Sequence, residues 1–277
     1  VMRYLRFLRQ TMRSLQEHGE PPITSEQIRR REHNGQAIVD VLPADPWDRA
    51  LYPGFTAEVW MQPGVRPEAI QNDMAAFYRQ PEPAGAVNLV LTVANVSSIP
   101  PLDALNKLYH EGNVCLVQLH PANEFIVPTL EEMFREFIDE GFVDIAVGKA
   151  DVGAYLVDHD KVDRIHITGS DLTHDAIVYG LGEEGERRKL TDNPRRDDLD
   201  VTSALGNISP IIVAPGPWSA NDIAYHAESI ATQIVANGGF NCNDAQLLIT
   251  PRGWDRRDEL LDVLDARALR FDRVYLM

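Results

Sequence analysis

Only two of the 277 residues are cysteines, and one stands where a thiol could do chemistry. Cys242 lies in Asn237-Gly238-Gly239-Phe240-Asn241-Cys242-Asn243-Asp244. The paired glycines let the backbone turn tightly and present a side chain. A thiolate with a lowered pKa or a nearby base is a nucleophile. No histidine adjoins it, and taken alone an unreactive, half-buried cysteine is the simpler reading. Cys115 lies in the apolar run Val114-Cys115-Leu116-Val117 and reads as an inert core residue. A second candidate is Ile165-His166-Ile167-Thr168-Gly169-Ser170, a strand that ends in Thr-Gly-Ser and opens a helix. The free N–H groups of a helix start, with a glycine allowing close approach, suit an anionic pyrophosphate. In isolation, Ser170 as a plain helix cap is the simpler account.

Several other chemistries lack their residues. The dinucleotide fingerprint GxGxxG is missing from the first strand–helix turn, so a bound nucleotide needs another device for its phosphates. His159, His166 and His174 lack the HExxH spacing, so no metal site is expected. The GxSxG elbow of serine hydrolases is also missing. A cysteine hydrolase would need a histidine brought to Cys242 from elsewhere in the fold.

The elements that must position these residues read clearly from residue 84 onward. Strand-length apolar runs, Ala86–Val93, Val114–Leu119, Val143–Val147, Arg164–Thr168 and Ile211–Val213, alternate with helical patterns near 101–111, 126–140, 151–158 and 171–179. Continuous apolar strands separated by helices imply βαβ units and a parallel sheet covered on both faces. The expected fold is α/β, with a Rossmann-like parallel sheet. Gly180 to Asp200 is charged and reads as an exposed loop or boundary. A helix from about Ser219 to Ala236, a strand over Gln246–Thr250 and a helix from Asp255 follow. Before residue 84, Leu5, Leu8, Met12 and Leu15 predict an amphipathic helix over about 3–18. Ser25-Glu26-Gln27-Ile28 suggests a second helix. The stretch 36–64 is irregular, with β-like pieces at Ala37–Val41 and Ala57–Trp60.

Composition narrows the class. Hydrophobic content of 44% and charged content of 25% are those of a globular protein. A net charge of −16 and a pI of about 4.8 disfavour nucleic acid and anionic membranes as partners. No run approaches the ~18 apolar residues of a membrane span. The cysteine usage fits a reducing cytoplasm. The chain opens at Val1 and closes on Arg273-Val274-Tyr275-Leu276-Met277 soon after a helix-like stretch, which leads us to expect a piece of a longer protein.

The motifs occur in the order found in the aldehyde dehydrogenase superfamily, which the chain resembles over roughly 80 to 270. Val93-Ala94-Asn95-Val96 resembles the segment with the family's oxyanion-hole asparagine. Gly112-Asn113, the strand after it and His120-Pro121 are similar to its adenosine-side strand. Gly148 through Gly153 resembles the glycine-bearing turn before Thr168-Gly169-Ser170. Leu205-Gly206-Asn207-Ile208-Ser209-Pro210 resembles the entry to the catalytic domain, and Asn237 to Cys242 the nucleophile motif. The resemblance implies a nicotinamide-cofactor-binding domain with N-terminal helices over 1–203 and the start of an α/β catalytic domain over 204–277. It implies Cys242 and Asn95 as catalytic residues. It implies Val93, Gln118, His120, Gly148, Gly153, Gly169, Ser170, Leu205 and Gly206 as the binding site for NAD or NADP. The implied substrate is a small-molecule aldehyde, attacked by Cys242, with Asn95 and the Cys242 N–H stabilising the oxyanion. Water or coenzyme A takes the acyl group, and the full-length protein is expected to be a homo-oligomer.

The sequence also departs from the family. Ala204 stands where the family has its general-base glutamate, and an alanine cannot activate water. Gln118, or its neighbour, replaces a lysine that holds the cofactor ribose. The Pro-Trp before the asparagine is missing. A further glutamate and an oligomerising arm, which the family has far downstream of the cysteine, are absent or lie beyond the last residue, 35 positions after Cys242 (277 − 242). These departures leave room for a coenzyme A-acylating enzyme or for a non-catalytic nucleotide-binding protein on the same fold.

Overall fold

The computed structural model describes residues 2–268. Within it the chain forms two compact units. One comprises residues up to Gly85 with Tyr109–Gly112, and the other Ala86–Leu108 with the described residues from Asn113 onward.

The first unit opens with α1 (Met2–His18), as its apolar spacing predicts. The second helix expected near residue 25 is only a 3₁₀ turn, Ser25–Gln27, and Ile28 already belongs to a strand. Strands β1 (Ile28–Arg30), β2 (Ala37–Leu42) and β3 (Ala57–Trp60) form an antiparallel sheet, with helices α2 (Pro46–Leu51) and α3 (Pro67–Asp73) in the connections. Ala37, Val39 and Ile70 are its buried apolar centre.

The second unit is built on five parallel strands. These are β4 (Val87–Leu91), β5 (Val114–Leu119), β6 (Val143–Val147), β7 (Arg164–Gly169) and β8 (Asp200–Leu205). Helix α4 (Ile99–Glu111) follows β4 and carries Pro100 and Pro101 in its first turn, where proline removes no helical hydrogen bond. Helices α5 (Val127–Met133) and α6 (Arg135–Asp139) replace the single helix expected over 126–140. The break falls at Phe134 (φ −101°, ψ 11°), whose side chain is buried. Helix α7 (Ala150–Val157) follows β6, and α8 (Asp171–Val178) follows β7. The charged stretch expected as loop contains α9 (Gly182–Leu190), with acidic residues in its first turn and basic ones in its last, as the helix dipole favours.

The strand order is β6-β5-β4-β7-β8. The chain moves outward from β4 on one side, then returns to place β7 on the other. That reversal is a doubly wound switch point, and the crevice at the carboxyl ends of β4 and β7 is where such sheets bind ligands. Leu89, Leu91, Ile165 and Ile167 pack with Val157, Val162 and Ile177 to bury one face.

The chain continues into β9 (Pro210–Ile212), α10 (Ala220–Val235), β10 (Leu247–Ile249) and α11 (Arg257–Ala268), with β9 and β10 parallel. Val213, Ile223, Ile230, Trp254, Leu260 and Leu264 form their shared core. The expected strand Ile211–Val213 thus begins one residue earlier. Strand β8 was not anticipated, and the boundary expected between 203 and 204 falls inside it. The stretch 273–277 lies outside the described residues. No helix among them is long and apolar enough to cross a membrane.

Candidate active site

The turn that carries Cys242 is set by what ends α10. Asn237, Gly238 and Gly239 take φ of 50°, 67° and 79° in succession, the left-handed region that glycine enters freely. Asn237 enters it without that freedom, and its side chain is tied down. Its Nδ2 donates to the carbonyl of Asn95 at 3.0 Å and to Asn241 Oδ1 at 3.1 Å. Buried Asp244 fixes the other side of the turn, accepting from Asn241 N–H at 2.9 Å and from Asn241 Nδ2 at 3.0 Å. Cys242 itself is half-buried with a free thiol, and its carbonyl accepts from Asn207 N–H at 3.3 Å.

Asn95 comes from the loop after β4. Its Nδ2 donates to the Phe240 carbonyl at 2.5 Å, which uses one of the two N–H bonds of the amide. That loop is pinned from beneath, because buried Asn123 donates to the Val93 carbonyl at 2.7 Å. The segments bearing Asn95 and Cys242 therefore hold each other through reciprocal bonds between Asn95 and the turn at 237–240.

A cavity of about 300 Å³ opens between these segments. Five of the residues singled out in the sequence line it: Val93, Asn95, Gly169, Gly206 and Cys242. Ala204 lines it too, with Thr168, Ile99, Asn207 and Gln246, which sequence reasoning had not assigned a role. The cavity lies at the carboxyl ends of β4, β7 and β8, at the switch point.

The remaining expected binding residues sit elsewhere. Leu205 ends β8 beside Gly206. Gln118 Nε2 donates to the Gly148 carbonyl at 2.6 Å and to the Leu119 carbonyl at 3.1 Å, so its amide ties β5 to the turn after β6. Gly148 is needed for packing, since a Cβ there would lie 2.5 Å from the Val152 Cβ. A Cβ added at Gly153 would lie at an ordinary 3.7 Å from Gln118 Oε1. His120 Nδ1 accepts from Ala122 N–H and caps the short turn Pro121–Ile126. Ser170 caps α8, its Oγ accepting from Leu172 N–H at 3.1 Å. Among the described residues no group of three or more His, Cys, Asp or Glu side chains could hold a metal ion.

The sequence model of the aldehyde dehydrogenase family matches residues 55–272, well over half of the chain. The chain belongs to the aldehyde dehydrogenase family. Among solved structures it is similar to the aldehyde dehydrogenase KauB from Pseudomonas aeruginosa, at 20% identity and a TM-score of 0.52, over 68% of this chain and 35% of that one. It is similar to the Mycobacterium tuberculosis aldehyde dehydrogenase complexed with NAD+, at 18% identity and a TM-score of 0.51, over 88% and 38%. It also resembles the NADP-dependent glyceraldehyde-3-phosphate dehydrogenase from Bacillus halodurans complexed with NADP, at 18% identity and a TM-score of 0.50, over 67% and 35%. At such identities the likeness concerns the fold. The chain spans little more than a third of the length of these structures. No curated protein sequence matches it.

Two parts of the cavity's surroundings bear on a nicotinamide dinucleotide. At Gly206 an added Cβ would meet nothing within 4 Å, and at Gly169 only ordinary contacts. The protein leaves this edge of the cavity open. The start of α8 suits the pyrophosphate less well. Its Leu172 N–H already faces Ser170 Oγ and the Asp171 carboxylate, the latter at 2.9 Å, so a phosphate must displace a negative charge.

Proposed function

We propose that the chain carries the nucleophile and much of the cofactor site of an NAD- or NADP-dependent aldehyde dehydrogenase. The observation that carries this reading is the meeting of Cys242 and Asn95 in one cavity with Thr168, Gly169 and Gly206 at the switch point. The Cys242 thiolate adds to the aldehyde carbonyl and gives a thiohemiacetal oxyanion. The second N–H of the Asn95 amide and the backbone N–H of Cys242 donate to that oxygen; a preorganised donor of this sort is worth about 3–4 kcal/mol. When bound, the nicotinamide supplies the acceptor for the hydride that leaves the same carbon. Val93, Gly169, Leu205 and Gly206 would hold the ring, and Gln118, His120, Gly148, Gly153 and Ser170 would hold the rest of the dinucleotide. The segment from Ala204 onward is then the start of the catalytic domain.

The acyl group left on Cys242 goes to water or to coenzyme A. Ala204 bears on that choice, since transfer to a thiol needs no base to activate water. It also favours, as the second reading, a nucleotide-binding relative that does not turn over.

Intact-protein mass spectrometry tests the proposal. The full chain is mixed with NAD or NADP and a panel of aldehydes, and the adduct is located by peptide mapping. We expect an acyl mass on Cys242 that requires both cofactor and aldehyde and is lost in Cys242→Ala. A cofactor-binding chain with no adduct across the panel would favour the second reading.

A further inference from the structure

A polar network lies behind the cavity, on the face of the sheet that α4 covers. Strand pairing sets His166 beside Thr202 and Thr168 beside Ala204. Alternation along each strand puts these four side chains on one face. Helix α4 supplies Ile99, Asp103 and Lys107 at intervals of four, which places them along one stripe. Ile99 lines the cavity. One turn on, Asp103 Oδ2 accepts from the Thr168 hydroxyl at 2.7 Å and lies 3.6 Å from His166 Nε2. One further turn on, Lys107 Nζ donates to Thr202 Oγ1 at 3.1 Å, and His166 Nδ1 lies 2.8 Å from the same oxygen. Thr168 lines the cavity with Ala204 and Cys242, and its hydroxyl is bonded to the Asp103 carboxylate.

We propose that Asp103, acting through Thr168, accepts the proton of the water that releases the acyl group from Cys242, in place of the carboxylate that Ala204 lacks. This rests on the Cys242 reading above. The water oxygen adds to the acyl carbon. One water proton passes to Thr168 Oγ1 while that hydroxyl's own proton passes to Asp103 Oδ2. The carbon–sulfur bond then breaks with its electron pair on Sγ, which restores the thiolate. The carboxylic acid leaves with the second water proton, and Asp103 returns its proton to solvent.

The surroundings of Asp103 suit an acceptor. Burial pushes its carboxyl up, against the lowering pulls of the Thr168 hydroxyl, His166 on β7 and Lys107 on α4. A proton acceptor works best when its pKa approaches the working pH. Asp103 keeps some access to solvent, its side chain being 20% exposed.

The test separates formation of the Cys242 adduct from its decay, in the full chain with NAD or NADP and a reactive aldehyde. We expect Asp103→Asn to form the adduct at close to the parent rate and to lose it ~100-fold more slowly, in the range usual for a lost general base. Thr168→Val should slow decay in the same way, because it cuts the link. In the parent, decay should rise with pH over a limb that Asp103→Asn abolishes, a change a merely structural role would not make. Adding Ala204→Glu to Asp103→Asn should restore decay, which also shows that the variant is folded. An adduct that decays equally fast in the parent and in folded Asp103→Asn overturns the role of Asp103 alone. No adduct in the parent overturns the Cys242 reading and this one with it.

Discussion

Asn95 does two jobs whose effects can be told apart. It ties the loop after β4 to the Phe240 carbonyl, and in our reading it holds a second N–H toward the substrate oxygen. Asn95→Ala removes both, and we expect adduct formation on Cys242 to fall roughly 100- to 1,000-fold. Asn237→Ala removes the return bond to the Asn95 carbonyl and the bond to Asn241 but leaves the donor in place, so its loss should be clearly smaller. Equal losses would make Asn95 a loop tie only. Asp171 gives a test of opposite sign. Its exposed carboxylate occupies the start of α8, where the helix dipole would otherwise favour a phosphate. Asp171→Asn should tighten NAD binding about two- to fivefold, the size of a surface charge–dipole term, and the gain should shrink as salt rises. Unchanged affinity at low salt in a cofactor titration would place the phosphates away from α8.

How much of each element could be read from the sequence depended on how deeply it is buried. The runs around Leu89, Val117 and Ile165 are continuous because both faces of those strands are covered, and such runs are legible. Strand β8 closes the sheet at its edge, so Asp200-Val201-Thr202-Ser203-Ala204-Leu205 needs no apolar run and offers none. Helix α9 hid for a different reason. Gly182-Glu183-Glu184-Gly185-Glu186 is polar with two glycines, and its support comes from Glu184 paired with Arg187 and Arg188 on the next turn. Asp103 was missed because its meaning lies in what β7 places against it, which no local spacing shows. The order of motifs, by contrast, points to the segments bearing Asn95 and Cys242, and both residues line one cavity. The turn between β6 and α7 offers a test at this scale. Gly148→Ala would set a Cβ 2.5 Å from that of Val152, and the overpacking should cost about 1–3 kcal/mol. Gly148→Ala with Val152→Gly, which removes the Cβ as well as both Cγ atoms, should recover part of that loss in thermal unfolding relative to Val152→Gly alone. A Gly148→Ala chain as stable as the parent would mean that this turn yields freely.

Acid should act differently on β2 and on the pair β4 and β7, because Asp48 and Asp103 are shifted in opposite directions. The lowered carboxyls of the second unit, Asp175, Glu184, Asp198 and Asp222, lie instead on α8, α9, the loop before β8 and α10. In the first unit the Asp48 side chain is fully buried. It accepts from Arg3 Nε at 2.9 Å and from the second Arg3 nitrogen at 2.8 Å, with Ala44 N–H at 3.0 Å. The Arg3 hydrogen bonds, more than any other cause, hold its pKa down to about 2 from an ordinary 3.8. A carboxyl depressed in the folded state adds stability that is fully present above its unfolded pKa and is lost as pH falls toward the folded one. For Asp48 that window runs from about 4 down to about 2. Asp103 in the second unit is shifted up by burial, so protonation relieves a cost there instead of removing a bond. We therefore expect amides of β2 in the first unit to lose hydrogen-exchange protection across the Asp48 window, after correction for intrinsic rates. Amides of β4 and β7 in the second unit should keep more of theirs. Asp48→Asn should start from lower protection in the first unit and show a flatter pH dependence there. If β2 in Asp48→Asn loses protection with the same slope as in the parent, the acid response of that unit comes from another group.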